Sequence, residues 1–164
     1  MEKCGDMIVS LYNLPNVKIN SDVKVSKAFV SDLDKILEFV DNEVPEHQGW
    51  KKEIQYSIMQ SPIKLVVATK DGELLGFACY DSSAKGFFGP IGVKNSERGK
   101  GIGTALLVKT LEYMKSDGYA YAIIGWVSSA IGFYEKTVGA KLIENATPNN
   151  SVYSNKINLK FWLY

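Results

Sequence analysis

One arginine, one histidine and two cysteines are all that 164 residues contain of the residue types that often build reactive centres. Cys4 and Cys79 stand at no metal-ligand spacing and cannot form a disulfide framework. That excludes a stapled secreted module and a cysteine-rich zinc site, and it suits a reducing cytosol. No metal is expected. Charge of one sign is also scarce: 19 basic residues meet 18 acidic ones, for a formal net charge of +1, and the lysines are scattered. A broad basic face for nucleic acid is thereby excluded. The longest apolar stretch, around Tyr119–Val127, is far too short to span a membrane. Met-Glu-Lys-Cys-Gly-Asp at the start lacks the charged-then-apolar build of a signal peptide. There are no repeats and no low-complexity tracts. Residues 1–164 are therefore expected to form one cytoplasmic domain, large enough to bury roughly 70% of its unfolded surface.

The one arginine, Arg98, sits in Glu97-Arg98-Gly99-Lys100-Gly101-Ile102-Gly103. Upstream, Phe87-Phe88-Gly89-Pro90-Ile91-Gly92-Val93 reads as a strand with a break in it. Downstream, Thr104 to Asp117 reads as an amphipathic helix stopped by Gly118. A glycine-rich cationic turn feeding a helix N-terminus aims several backbone N–H groups at one spot, and the helix dipole adds positive charge there. Arg98 offers a two-pronged fork to phosphate oxygens and Lys100 a point charge. Two other phosphate loops fail on spacing. A P-loop needs glycine and Ser/Thr where Lys94 and Gly101 stand. A dinucleotide-binding GxGxxG places its third glycine on Thr104 or Leu106, and Tyr119–Val127 holds no acid for a ribose.

What remains is (Q/R)xxGx(G/A), read as Arg98-x-x-Gly101-x-Gly103. Some thirty residues on, Ala130-Ile131-Gly132-Phe133-Tyr134-Glu135-Lys136 with Gly139-Ala140 is similar to an AxxLYxxxGF segment, with Phe133 for leucine and one extra residue before the glycine. In this order and spacing the two motifs resemble those of the GNAT superfamily of acetyl-CoA-dependent N-acetyltransferases, strongly over Phe87 to Ala140 and by element order elsewhere. Gly86–Val93 together with Gly118–Trp126 also resembles small bacterial acetyltransferases acting on amino sugars.

The element pattern agrees with that fold. Strands are predicted at Met7–Tyr12, Val23–Ala28, Ile63–Thr69, Leu74–Asp81, Phe87–Val93, Tyr119–Val127, Ala140–Glu144 and Ile157–Tyr164. Helices are predicted from a Ser31 cap through Val40, from Trp50 to Gln60, from Thr104 to Asp117 and around Ala130–Thr137. Pro45–Gly49 is a loop, and Lys70-Asp71-Gly72-Glu73 is a hairpin turn. The fold class is α/β: a GNAT-type mixed, mostly antiparallel sheet with about four flanking helices. Gly89, Pro90 and Gly92 predict a bulge where Phe87–Val93 parts from the parallel strand Tyr119–Val127. The resemblance implies that this splayed pair takes a pantetheine arm.

The resemblance also implies roles. The amine acceptor attacks the thioester of acetyl-CoA, the co-substrate, directly. The Ile91 N–H holds the developing oxyanion, backbone groups of Val93 hold the pantetheine, and Tyr134 steadies the leaving thiolate. Arg98, Gly99, Lys100, Gly101, Ile102, Gly103, Thr104 and Phe133 contact the cofactor. With a thiol near ~8.5 and a phenol near ~10, full proton transfer from Tyr134 is uphill by roughly 2 kcal/mol, so a hydrogen bond or concerted transfer is expected. Phe87 stands where many family members carry a glutamate base, and Val127 stands at the motif's asparagine position. Glu46, Asp81, Glu43, Glu135 or water remain as base candidates. Without a strong base nearby, amines largely neutral near pH 7 are favoured, as in a 2-amino sugar. His47 lies in the loop that covers the acceptor in the family. Trp50, Tyr80, Phe87, Phe88, Trp126 and Phe133 are candidates to line the acceptor pocket.

The expected partner is a small-molecule amine, with neither nucleic acid nor membrane, and a homodimer is left open. The competing readings are a protein lysine or N-terminal acetyltransferase and a non-catalytic acetyl-CoA sensor. A sensor needs the loop and has no use for Tyr134.

Overall fold

Alternation of apolar side chains on both faces of the central strands decides the architecture. The structure, a computed structural model, describes residues 3–147 and 149–157. The seven strands are β1 Gly5–Ser10, β2 Lys24–Lys27, β3 Leu65–Lys70, β4 Glu73–Tyr80, β5 Phe87–Val93, β6 Tyr121–Val127 and β7 Lys141–Leu142. They form one sheet in the order β2-β3-β4-β5-β6-β1-β7, and among the described residues only β5–β6 is a parallel pair. The four helices are α1 Leu33–Glu43, α2 Trp50–Met59, α3 Ile102–Ser116 and α4 Ile131–Val138. On β3 and β4, Val66, Ala68, Ala78 and Tyr80 join the core beneath α3, while Leu65, Val67, Phe77 and Cys79 join the core beneath α1 and α2. Period-two strands that are apolar on both sides need helices on both faces, and that is the arrangement formed.

Most element boundaries move by one to three residues. Ser31 does not cap α1: the chain first makes a 3-10 turn over Val30–Asp32, and the Asp32 carboxylate accepts the Phe29 N–H at 2.8 Å. Ser31 is inside that turn and Asp32 takes the cap position. The predicted strand Ile157–Tyr164 lies outside the described residues but for Ile157, which is in a turn and exposed. Ala140–Glu144 shortens to the two residues of β7.

The predicted break in β5 is present. β5 and β6 pair only at Phe87–Ile123 and Phe88–Ile124 and then part. On its other side, β5 pairs Ala78 with Ile91 and Tyr80 with Phe88, so β5 carries one extra residue at Gly89-Pro90. The Ser82 hydroxyl donates to the Gly89 carbonyl at 2.9 Å and ties that bulge down. β6 bulges too: β1 pairs Met7 with Ile124 but Gly5 with Val127. The extra residue there brings Trp126 into left-handed geometry at φ 54°, and its N–H donates to the buried Asp6 carboxylate at 2.8 Å.

The far end of α3 is anchored by charge. Lys64 pairs with Asp117, and the Tyr80 hydroxyl donates to the same carboxylate at 2.8 Å. Burial pushes the Asp117 carboxyl up, but its bonds from Lys64 and Tyr80 and the charges of Lys64 and Lys27 outweigh that and hold it low. Removing Asp117 leaves the buried Lys64 only the more distant Asp81 carboxylate, 3.7 Å away, and leaves the Tyr80 hydroxyl without its acceptor. Asp117→Ala should therefore cost about 2–3 kcal/mol, lowering Tm by roughly 5–10 °C. Because folding lowers this pKa, the stabilisation is complete above about pH 4 and fades as pH falls further. Melts of both proteins from pH 2.5 to 7 check this: the gap between them should close on the acid side.

Candidate active site

The candidate phosphate loop is the turn from β5 into α3. A 3-10 turn, Asn95–Glu97, follows β5, and α1 pins it in place. The Glu43 carboxylate accepts the Asn95 N–H at 2.9 Å, and the Asn95 amide donates to the Glu43 carbonyl at 3.1 Å. Gly101 then turns left-handed at φ 82° and becomes the N-cap of α3. The first helical hydrogen bond runs from Ala105 N–H to Gly101 O at 3.0 Å, so the amides of Ile102, Gly103 and Thr104 have no helical acceptor. No side chain caps them. Arg98 is exposed and has no ion-pair partner among the described residues, whereas Lys100 sits 3.4 Å from Glu97.

The splay supplies a second set of free amides. Lys94 N–H donates to Leu75 O across the β4–β5 ladder at 2.8 Å. Backbone groups alternate sides along an antiparallel strand, so Gly92 also points toward β4, and Ile91 and Val93 point away, into the gap left by β6.

Two adjoining cavities occupy this gap. The first, about 620 Å³, runs from the loop to α4 and is bounded by Ile91, Val93, Arg98, Gly99, Gly101, Gly103, Thr104, Phe133 and Tyr134. Lys100 and Ile102 are not in its wall: Lys100 stays with Glu97, and the Ile102 side chain is buried in the core. The second, about 730 Å³, lies toward α2 and the end of β6 and is walled in part by Trp50, Glu53, Phe88, Trp126 and Tyr153. The two share Glu46, His47, Trp50, Ile91, Arg98, Ala130 and Tyr134.

Tyr134 is 7% exposed, and its hydroxyl has no hydrogen-bond partner among the described residues. Burial alone pushes its pKa up to about 12. Full proton transfer to a thiolate is then uphill by roughly 5 kcal/mol, more than the unperturbed phenol suggests. Tyr134 can therefore serve as a hydrogen-bond donor and stays neutral through the working pH range.

Of the base candidates, Glu46 alone lines the cavities; it is exposed and 3.6 Å from His47 Nε2. Glu43 is committed to Asn95. Asp81 is buried and accepts from Gly86 N–H and the Tyr119 hydroxyl, both at 2.8 Å. Glu135 is exposed and lines neither cavity. His47 stacks on Trp50 with ring centres 4.0 Å apart. Two aromatic candidates leave the pocket: Tyr80 is fully buried beneath α3, and Phe87 lies in the core against the Tyr153 ring.

Sequence reasoning missed Glu53, Asp6, Ser83, Tyr153 and Lys156. Tyr153 belongs to a 3-10 turn, Val152–Asn155, that folds back over β6. A Cβ on Gly125 would meet the Tyr153 hydroxyl at 2.2 Å, so only glycine lets that ring lie there. Glu53 carried a signal that could have been read. It is three residues after Trp50 and four before the buried Ser57, on the inward face of α2.

This arrangement can bind an anion at the α3 N-terminus, a thin chain between the splayed strands, and a second molecule beside Trp50. Residues 30–140 match the model of the Acetyltransferase (GNAT) family, and the chain belongs to that family. Solved structures share its fold. A GCN5-related N-acetyltransferase from Sphaerobacter thermophilus matches with a TM-score of 0.69 and 18% identity over 85% of this chain and 48% of that one. A GNAT-family acetyltransferase from Colwellia psychrerythraea matches with a TM-score of 0.61 and 18% identity over 85% and 52%. A GCN5-related glucosamine N-acetyltransferase region of a fungal multi-domain GH3 β-N-acetylglucosaminidase matches with a TM-score of 0.67 and 16% identity over 85% and 20%. The chain thus spans between a fifth and about half the length of these proteins. No curated protein is significantly similar to it. Among the described residues, no helix is long and apolar enough to cross a membrane, and no group of three His, Cys, Asp or Glu is placed to hold a metal.

Proposed function

We propose that the protein transfers an acetyl group from acetyl-CoA to a primary amine of a small molecule, an amino sugar being the class the site favours. The observation that carries this is the meeting, on one shared wall, of the gap-facing Ile91 amide and the unpartnered Tyr134 hydroxyl. The residues present fit the donor. The free amides of Ile102, Gly103 and Thr104 with Arg98 suit a pyrophosphate, and the amides of Ile91 and Val93 suit an acyl-pantetheine amide and carbonyl. When bound, acetyl-CoA supplies an activated acyl carbon and a leaving thiol. Ile91 N–H donates to the oxygen on which charge develops as the amine adds, a contact that strengthens toward the transition state. Tyr134 donates to the sulfur as it takes up charge.

Acceptor choice follows from basicity. No group on the acceptor wall can strip a lysine ammonium. With pKa ~10.4, that amine is neutral in about one molecule in 2,500 at pH 7, a cost of nearly 5 kcal/mol. The rings of Trp50, Trp126 and Tyr153 offer flat faces on which a sugar stacks. Glucosamine should therefore exceed a lysine-containing peptide in kcat/KM at pH 7 by at least about tenfold. The peptide should gain on it steadily between pH 7 and 9. A clear preference for the peptide at pH 7 would overturn the small-amine reading.

A further inference from the structure

The acceptor cavity holds a carboxylate, Glu53, that is set back from solvent and takes no backbone donor among the described residues. Glu53 lies one helical turn beyond Trp50 on α2, half-buried, on the same cavity wall as Ile91 and Tyr134. The Ser83 hydroxyl donates to its Oε1, and the Lys156 charge acts on the same carboxylate. Several titratable groups lie around it. Lys156 approaches from the 3-10 segment that crosses β6, with Tyr153 beside it; Cys79 lies in the strand beneath; Glu46 and His47 precede it on the turn before α2.

We propose that Glu53 binds the acceptor amine and takes its proton as the amide forms, an inference that rests on the acetyl-transfer reading above. As the amine nitrogen donates its lone pair, a C–N bond forms to the acetyl carbon, and the N–H, now acidic, gives its proton to Glu53 Oε2. The C–S bond then breaks and the sulfur keeps that electron pair, hydrogen-bonded by Tyr134. Glu53 returns the proton through solvent, so the net products are the amide and the free thiol. Such a base need not deprotonate an ammonium. It acts only on a nitrogen that bond formation has already made acidic, and a carboxylate is basic enough for that.

Geometry separates Glu53 from the other carboxylates. Glu43 and Asp81 spend their oxygens on backbone and tyrosine donors, and Glu46 stands in solvent at 62% side-chain exposure. Burial raises the Glu53 pKa above the ordinary glutamate range, opposed by the Ser83 hydrogen bond and the Lys156 charge. Because burial raises it, Glu53 takes up its proton at a higher pH than a solvated glutamate, and that leaves a mark on the pH profile. Below that pH both the amine and Glu53 carry protons, and the acid limb of log kcat/KM steepens from slope one to slope two.

The test combines Glu53→Gln with the carboxyl carbon resonance of Glu53 in the wild-type protein. Glu53→Gln should bind CoA with unchanged affinity by calorimetry and lose about 10²-fold in kcat/KM for glucosamine, the size of a general-base contribution. It should keep slope one throughout the acid limb. The wild-type carboxyl resonance should titrate above ~4.3, the ordinary glutamate value, and should shift when glucosamine alone is added. A Glu53→Gln rate within threefold of wild type with the same steepening overturns the proposal, as does a carboxyl resonance indifferent to glucosamine. Failure of the wild type to bind CoA would instead overturn the acetyl-transfer reading, and the response to glucosamine alone would still decide whether Glu53 holds an amine.

Discussion

Gly101→Val should lower CoA affinity by at least about 10³-fold, roughly 4 kcal/mol, and leave the fold in place. Two effects act together. At φ 82° a β-branched residue is strained by on the order of 1–3 kcal/mol, so the loop relaxes and the amides of Ile102, Gly103 and Thr104 lose their common aim. A Cβ here meets no protein atom within 4 Å, so nothing in the core resists the change. Gly101 lines the first cavity, and the added side chain stands where the anion must approach. Because the helix beyond remains anchored through Asp117 and Lys64, Tm should fall by only a few degrees, in keeping with the strain alone. Gly101→Ala, smaller and less strained, should lose distinctly less affinity. Calorimetry with CoA measures both variants, and an unchanged affinity in Gly101→Val sinks the assignment of this loop to a pyrophosphate.

Local patterns made the donor half of the site legible. The turn from Arg98 to Gly103 announces itself because its function depends on backbone geometry, and glycine is visible in a sequence. The splay is legible for the same reason: Gly89 and Pro90 interrupt a strand, and the interruption is the bulge found there. Tyr134 is legible through its place in a motif. The acceptor half is different. Trp126 reaches it only because β6 gains a residue opposite Asp6, a pairing between positions 120 residues apart. Tyr153 reaches it only because the chain after β7 turns back across Gly125. Neither contact leaves a trace in local spacing. Glu53 reads as one more charge on a polar helix unless the inward face of α2 is traced from Trp50 through Ser57. In this chain the proposed acceptor pocket is assembled from tertiary contacts and the proposed phosphate loop from local ones, which is why the first is hard to read and the second easy.

On the acetyl-transfer reading proposed above, Tyr134 contributes a hydrogen bond, and its size can be stated. With its pKa pushed up to about 12 by burial, the phenol cannot surrender a proton to a thiolate near ~8.5 without climbing roughly 5 kcal/mol. Donation to the charged sulfur costs nothing of the kind and falls among charge-assisted hydrogen bonds, about 1.5–3 kcal/mol. Tyr134→Phe should therefore lower kcat by about 10²-fold at most, with KM for acetyl-CoA and CoA affinity unchanged, because the contact matures only as the C–S bond breaks. Its ring also packs against Phe88 and Phe133 at centroid distances of 6.3 and 5.1 Å, contacts that phenylalanine keeps, so stability should hardly move. The sign of the pKa shift makes a second forecast. A phenol raised to about 12 stays a donor across the accessible range, so no alkaline fall in kcat below about pH 11 should trace to its ionisation. Steady-state rates from pH 6 to 10.5 for wild type and Tyr134→Phe give both results. A wild-type rate that collapses near pH 10, with the variant unaffected, would mean the hydroxyl works by losing its proton; equal rates throughout would reduce Tyr134 to a wall of the cavity.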